Sequence, residues 1–482
     1  MTIKVKHSLL AASVAVGLAS PMSVLATNGM NMEGWGPIAT SMGGASMAYD
    51  NGVAAVMNNV ATLGLMADGE SRLDVALGHL GPDINNTAGA ASAASGGDSY
   101  FMPAIGYAKR SGQLTYGVGM FAQGGMGTEY DASSPFSPDG KAQRSEVGVG
   151  RLVAPIAYNL NKDVTVGGSI DYVWGGMDLQ MALTGGQFID FISTQNAGTA
   201  SGSLVTAFNG AVGAGQIDGT NPVNSARFDF SNQSDISGEA KGAGVSGKIG
   251  VTYKVNNNLS VGATYHAKTS MGDLETNNAT LSMNANFDDQ VLLGNPPTGA
   301  SFTAVDVPVT GSISVNNFQF PAQFGLGMSY KQDKWMVAAD VKVIQWEDVM
   351  DSFRMTFTAD ATQANPLAAG FAGTSMNVEM FQNWEDQTVI QVGGAYKVTS
   401  DTTVRGGVNS SSNPVPDATL NPLFPATPTV HYTLGVGHKL SKKSGVDFSL
   451  TIVPEVADTN PNSGITTTHA QTNWQLMYTQ KF

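Results

Sequence analysis

The stretch Gly242-Ala243-Gly244-Val245-Ser246-Gly247-Lys248-Ile249 comes close to a phosphate-cradling loop, in which backbone amides hold phosphate oxygens and a lysine reaches the outermost ones. Ile249, however, stands where a hydroxyl should hold Mg²⁺, and the segment runs into alternating strand residues instead of a helix. A glycine-rich entry to a strand is the better reading. The six histidines are scattered, with no pair at metal-ligand spacing, so no metal and no cofactor are expected. There is no Gly-x-Ser-x-Gly elbow and no carboxylate pair in a suggestive setting, so the chain is not read as an enzyme.

What remains is binding chemistry. Phe188, Ile189, Phe191 and Ile192, followed by Leu204, Val205 and Phe208, are spaced to share a side of short amphipathic helices. Such faces either capture a hydrophobic ligand or pack against their own loop. Arg354, at the outer end of a strand, could hold a carboxylate, although a solvated rim Arg is the plainer alternative. Gly117, Gly119, Gly124 and Gly125 weaken one strand and permit a bulge or bend in it.

The elements that would position these residues are β-strands. Leu259, Val261, Ala263 and Tyr265 fall on one face while Ser260, Thr264 and His266 fall on the other. Val446, Phe448, Leu450 and Ile452 likewise oppose Asp447, Ser449 and Thr451. A period of two over roughly 9–11 residues suits a strand that crosses a bilayer. Fourteen such stretches run from 71–79 to 472–482, including single strands at 309–332 and 335–357. Tight turns near 110, 160, 256, 332, 400 and 441 alternate with long connections, of which 183–242 and 275–308 are the longest. Short inner turns alternating with long outer loops are the pattern of an outer-membrane barrel.

Composition agrees. Charged residues are 13% of the 482, too few to cover a soluble protein of this size, and 24 Lys+Arg against 38 Asp+Glu argue against nucleic acid as a partner. Residues 1–26 read as a cleaved export signal, with Lys4 and Lys6 ahead of the apolar Leu9 to Leu18 and small residues up to Ala26. Residues 27–70 are rich in Ala, Met and Gly and read as short packed helices forming a plug ahead of the barrel at 71–482. The last strand ends at Phe482, a terminal aromatic of the kind read by the barrel-insertion machinery.

Asn31-Met32-Glu33-Gly34-Trp35-Gly36, Met42-Gly43-Gly44-Ala45, Asn58-Asn59-Val60-Ala61, the run from Tyr116 to Tyr130 and Ser412-Asn413-Pro414-Val415-Pro416-Asp417 occur in an order that resembles the FadL family of outer-membrane transporters. The resemblance covers nearly the whole chain after the signal. It implies an all-β, 14-stranded antiparallel transmembrane β-barrel closed by an N-terminal helical hatch, in the outer membrane of a Gram-negative cell. It also implies ligand capture on outer loops, a pocket in the lumen, and a kinked third strand with a side opening at Gly117 to Gly125. The hatch motif falls on Asn59, Val60 and Ala61, where the family usually carries Asn-Pro-Ala. Arg354 lies near the family's basic headgroup ligand.

The expected function is therefore passive, hatch-gated passage of a hydrophobic small molecule by a monomer in contact with outer-membrane lipids. Long-chain fatty acids are the first expectation and aromatic or aliphatic hydrocarbons the alternative. A general porin would have a wide charged lumen without an apolar plug. An outer-membrane lipid hydrolase would need a Ser-His pair facing lipid.

Overall fold

The computed structural model describes residues 28–234 and 237–482, and the export signal expected at 1–26 lies outside them. The strands are β1 (Ser71–Ala88), β2 (Ala91–Ala94), β3 (Tyr100–Ser111), β4 (Leu114–Tyr130), β5 (Gln143–Asn159), β6 (Val164–Thr184), β7 (Gly198–Ser201) and β8 (Val223–Phe230). There follow β9 (Ala240–Lys254), β10 (Leu259–His266), β11 (Ser270–Met271), β12 (Leu274–Asp288), β13 (Phe302–Asn316), β14 (Gln323–Gln332) and β15 (Trp335–Ile344). The last are β16 (Ser352–Ala359), β17 (Ser375–Phe381), β18 (Gln387–Lys397), β19 (Thr402–Ser411), β20 (Val430–Lys439), β21 (Ser444–Thr459) and β22 (Thr466–Lys481).

Alternation dictates how these strands sit. Tyr265, Phe324, Leu326, Met328, Tyr330, Val337 and Val341 point outward and are exposed. Their neighbours Thr264, His266, Ser329, Asp340 and Lys342 point inward and are buried. This is a soluble protein's pattern reversed, and each wetted apolar side chain would cost roughly 1.5–3 kcal/mol in water. Lipid removes that cost, provided that every backbone group is paired within a closed ring. The ring does close: β1 pairs with β22 from Arg72↔Lys481 to Thr87↔Thr466. Asn161 and Asn256 shape two of the tight turns, each accepting two backbone N–H groups through its side-chain oxygen.

The expectation of fourteen strands is corrected. A circuit of sixteen closes the barrel, running β1–β3–β4–β5–β6–β8–β12–β9–β10–β14–β15–β18–β19–β20–β21–β22. β6 and β9 pair directly as far as Met177↔Ala240 and then part, and β8 and β12 fill the space between them. The reason lies in the connections. Residues 183–242 and 275–308, read as loops, contain β7, β8 and most of β12. The single strands expected at 309–332 and 335–357 are each broken, into β13 and β14 and into β15 and β16. β8, β12, β13, β16, β17 and β7 pair in that order as a sheet standing on the outer end of the barrel.

The helical hatch is corrected as well. Between 28 and 70 the chain holds one four-residue helix, α1 (Pro37–Thr40), and two 3-10 turns, Val53–Met57 and Val60–Leu65. The remainder is irregular. Gly43 and Gly44 adopt φ of 70° and 84°, a left-handed conformation that ends α1 and that a continued helix cannot contain. The segment nevertheless fills the lumen, with Val53 to Met57 and Val60 fully buried.

Its seat is a wall of inward-facing glycine. A Cβ on Gly262 would lie 2.0 Å from the Met47 carbonyl oxygen, and one on Gly393 would lie 2.3 Å from that of Met42. Polar groups lock the fit. The Asp340 carboxylate accepts the backbone N–H of Ser46 (2.5 Å) and Met47 (3.1 Å), and Asp74 accepts that of Val53 (2.7 Å). Thr451 donates to buried Glu33 at 2.9 Å.

Candidate functional site

β3 and β4 pair from Ser111↔Leu114 up to Ile105↔Met120 and no further. Above that point Tyr100 to Ala104 pair with β1, and Phe121 to Tyr130 pair with β5. The wall therefore has a gap, bounded at its outer edge by the Gly96 N–H donating to the Glu129 carbonyl at 2.8 Å. An extra residue produces it. The β4–β5 register shifts between Ala122 and Gly124, so Gln123 is a bulge that bends the strand inward. Residues 121–128 are buried in consequence.

The bend is tied to the hatch. Gln123 Nε2 donates to Asn31 Oδ1 (2.5 Å), Gly125 N–H to the Met30 carbonyl (3.0 Å), and Trp35 Nε1 to the Ala122 carbonyl (2.9 Å). A Cβ on Gly124 would sit 1.9 Å from the Met30 oxygen, so glycine permits the approach. Gly117 and Gly119, also expected in the kink, lie below the gap, paired with Ala108 and Gly106.

Two apolar cavities flank this contact. One opens at the gap between the hatch and β1, β3, β4 and β22, among Met32, Trp35, Met102, Pro103, Phe121 and Met477. The other lies deeper in the outer half of the lumen and is lined by Met30, Met126, Val147, Met177, Phe318, Met350, Phe353, Gln382 and Phe424. Inward-leaning connections roof it, and a chain of rings runs on from it, with Phe318–Phe320, Phe320–Trp346 and Trp346–Trp384 centroids 6.3, 6.1 and 5.3 Å apart. At the short-turn end the lumen opens instead on a polar vestibule that includes Arg110, Gln113, Asn159, Lys162, Asp163 and Lys254.

The other expected residues fall as follows. Asn59 donates to the Met47 (2.8 Å) and Val251 (3.2 Å) carbonyls and accepts from the Ala61 N–H (3.1 Å), capping the 3-10 turn that Val60 begins. The first position of such a turn is one a Pro can also occupy, so Val60 leaves the brace intact. Helices α2 (Gly185–Ile192) and α3 (Ser203–Gly213) form in the outer segment. Phe188, Phe191, Leu204 and Phe208 are buried beneath them, with Phe188 and Phe208 edge-to-face at 5.7 Å, while Ile189 and Ile192 are half-buried. Arg354 lies on β16 outside the apolar cavity, paired with Asp351 (3.0 Å) and Glu379 (2.8 Å). Its hydrogen bond holds the Asp351 carboxyl below the usual carboxylate range. Sequence reasoning missed Gln123 and the cavity methionines. Their only signal was an unusual count of 22 Met.

The sequence model of the family described as "Outer membrane protein transport protein (OMPP1/FadL/TodX)" matches residues 15–480. The chain belongs to that family. As an OMPP1/FadL/TodX protein it is an outer-membrane β-barrel of a group that transports hydrophobic compounds. The crystal structure of the Pseudomonas putida toluene transporter TodX is 29% identical, with a TM-score of 0.76 over 93% of this chain and 99% of that one. That of the Ralstonia pickettii toluene transporter TbuX is also 29% identical, with a TM-score of 0.72 over the same shares. A protein of Chlorobium limicola encoded in the 5′ region of the phosphoenolpyruvate carboxykinase gene is 47% identical over 85 residues, 18% of this chain. The match spans 40% of that relative's length.

Proposed function

We propose that this OMPP1/FadL/TodX barrel passes uncharged hydrophobic molecules, monoaromatic hydrocarbons foremost, from the cell exterior into the outer membrane through the gap between β3 and β4. One observation carries the reading: the deep cavity is lined by Met, Val and Phe with Gln382 as its single polar member and, among the described residues, no charged one. A fatty acid would bring a carboxylate into that space, and a buried unpaired charge is strongly disfavoured. Arg354 would have to exchange two carboxylates to serve it, whereas Arg151, Lys248 and Arg405 already share Asp171 and Asp447. The similarity to two toluene transporters supports the same choice.

The route begins on the outer segment, where the half-buried Ile189 and Ile192 meet the ligand and Phe188, Phe191, Leu204 and Phe208 back them. It continues into the methionine cavity, past Asn31 and Gln123, and out through the gap. Transport runs down a gradient without covalent chemistry, in a monomer with residues 27–70 as plug and 71–482 as barrel. Uptake of radiolabelled toluene and oleate by a deletion strain carrying the gene tests this. Expression should raise toluene entry several-fold and leave oleate unchanged; accelerated oleate entry without a toluene effect would sink the proposal.

A further inference from the structure

We infer that methionine thioethers are the specificity-determining groups of this pathway and that they favour aromatic over saturated rings of equal size. The inference rests on the reading that uncharged hydrophobes are the cargo. Both apolar cavities on the route are methionine-lined. Met30, Met126, Met177 and Met350 face the deep one, and Met32, Met102 and Met477 face the one at the wall. All seven are at most 6% exposed.

Hydrophobicity alone does not account for this choice, because Leu or Ile would give an equally apolar lining with stiffer side chains. Methionine adds two properties. Its unbranched chain rearranges readily, so a tightly packed cavity can open around a guest. Its polarisable sulfur makes a favourable contact with an aromatic ring that a saturated ring cannot return, worth roughly a two- to tenfold preference per contact.

The placement is also directional. Met30 and Met32 flank Asn31 on one short stretch of the hatch and face different cavities. Asn31 itself is held by Gln123 on the bent strand. A ring leaving the deep cavity therefore exchanges the Met30 sulfur for the Met32 sulfur as it passes the hatch. Selection is applied twice, once on each side of the contact that divides the route.

Protein labelled with [methyl-13C]methionine, in lipid nanodiscs, is titrated with toluene and with methylcyclohexane while the methyl resonances are followed by NMR. The expected result is ring-current shifts at Met126, Met177 and Met350 with toluene that methylcyclohexane does not produce, and affinity for toluene roughly tenfold above that for methylcyclohexane. In the volume-conserving variant M126L/M177L/M350L the ratio should fall to near one. M126L and M350L alone should each lower it in part, which covers failure of the triple variant to fold. An affinity ratio unchanged by these substitutions overturns the inference and leaves the cargo reading standing. Failure of the unaltered protein to bind either hydrocarbon overturns both.

Discussion

Gly393 and Gly394 are adjacent in β18, yet they do opposite jobs. The first has the hatch backbone against it, with the Met42 oxygen 2.3 Å from where a Cβ would stand; the second has nothing nearer than 3.9 Å. The neighbour at Gly393 is main chain, so no rotamer change relieves the contact. Gly393→Ala should cost about 1–3 kcal/mol through overpacking and unseat the hatch locally, whereas Gly394→Ala should be neutral. Sensitivity of cells to vancomycin, too large and polar to cross an intact plugged barrel, reads the difference. Equal resistance in the two variants would mean that the hatch yields elsewhere. Such glycines were visible in the sequence as abundance but not as a seat. Their role depends on which strand face turns inward and on what is pressed there, and neither is a local property of the chain.

At the scale of elements, alternation made the spanning strands legible. β10, β14, β20 and β21 each show outward apolar and inward polar residues, because two different solvents select the two faces. In the outer segments the alternation is present but its apolar face packs on protein: Leu281, Met283, Ala285 and Phe287 of β12 are buried, while Ser282, Asn284 and Asn286 between them are partly exposed. The reading of 275–308 as a loop followed the short-long rhythm of the connections, which puts an outer loop there, and passed over that pattern. The break at Asn317 to Pro321 within 309–332 is marked only by a slip of phase: the apolar row falls on odd positions through Val309, Ile313 and Val315 and on even ones from Phe318, Phe320 and Phe324, where the backbone turns inward. The hatch misled in another way: its Ala and Met content suits helix, but its glycines take left-handed conformations that stop one after a single turn. The wall gap is open to direct trial. Ala104 and Phe121 face the first missing rung above Ile105↔Met120. In this chain, which has no Cys, an oxidised A104C/F121C pair should abolish hydrocarbon uptake, with recovery on reduction. Unimpaired uptake by the oxidised variant would place the exit elsewhere.

The whole molecule presents three environments to its tryptophans. Trp335 is 61% exposed on the outer wall and leans on Tyr396 at 4.4 Å, as an interfacial belt residue would. Trp35, Trp346 and Trp384 are enclosed within the lumen, at most 4% exposed, while Trp174 and Trp474 are intermediate. Reconstitution in brominated lipid should therefore quench one part of the emission and spare another, and Trp335→Phe should shrink the quenchable part. Uniform quenching of all six would contradict an enclosed hatch and a packed lumen.

The pairing of β1 with β22 has a consequence for how such an object can be made and how it can work. The hatch precedes β1 in the chain yet is gripped by β9, β10, β15, β18 and β21, strands synthesised long after it. The seam between first and last strands is therefore expected to close around the hatch, the two folding together. For the same reason the finished protein has no easy way to expel the hatch whole. On the proposed route, traffic past it is then a matter of a few side chains near Asn31 and Gln123 stepping aside, a turnstile beside a side exit instead of a door.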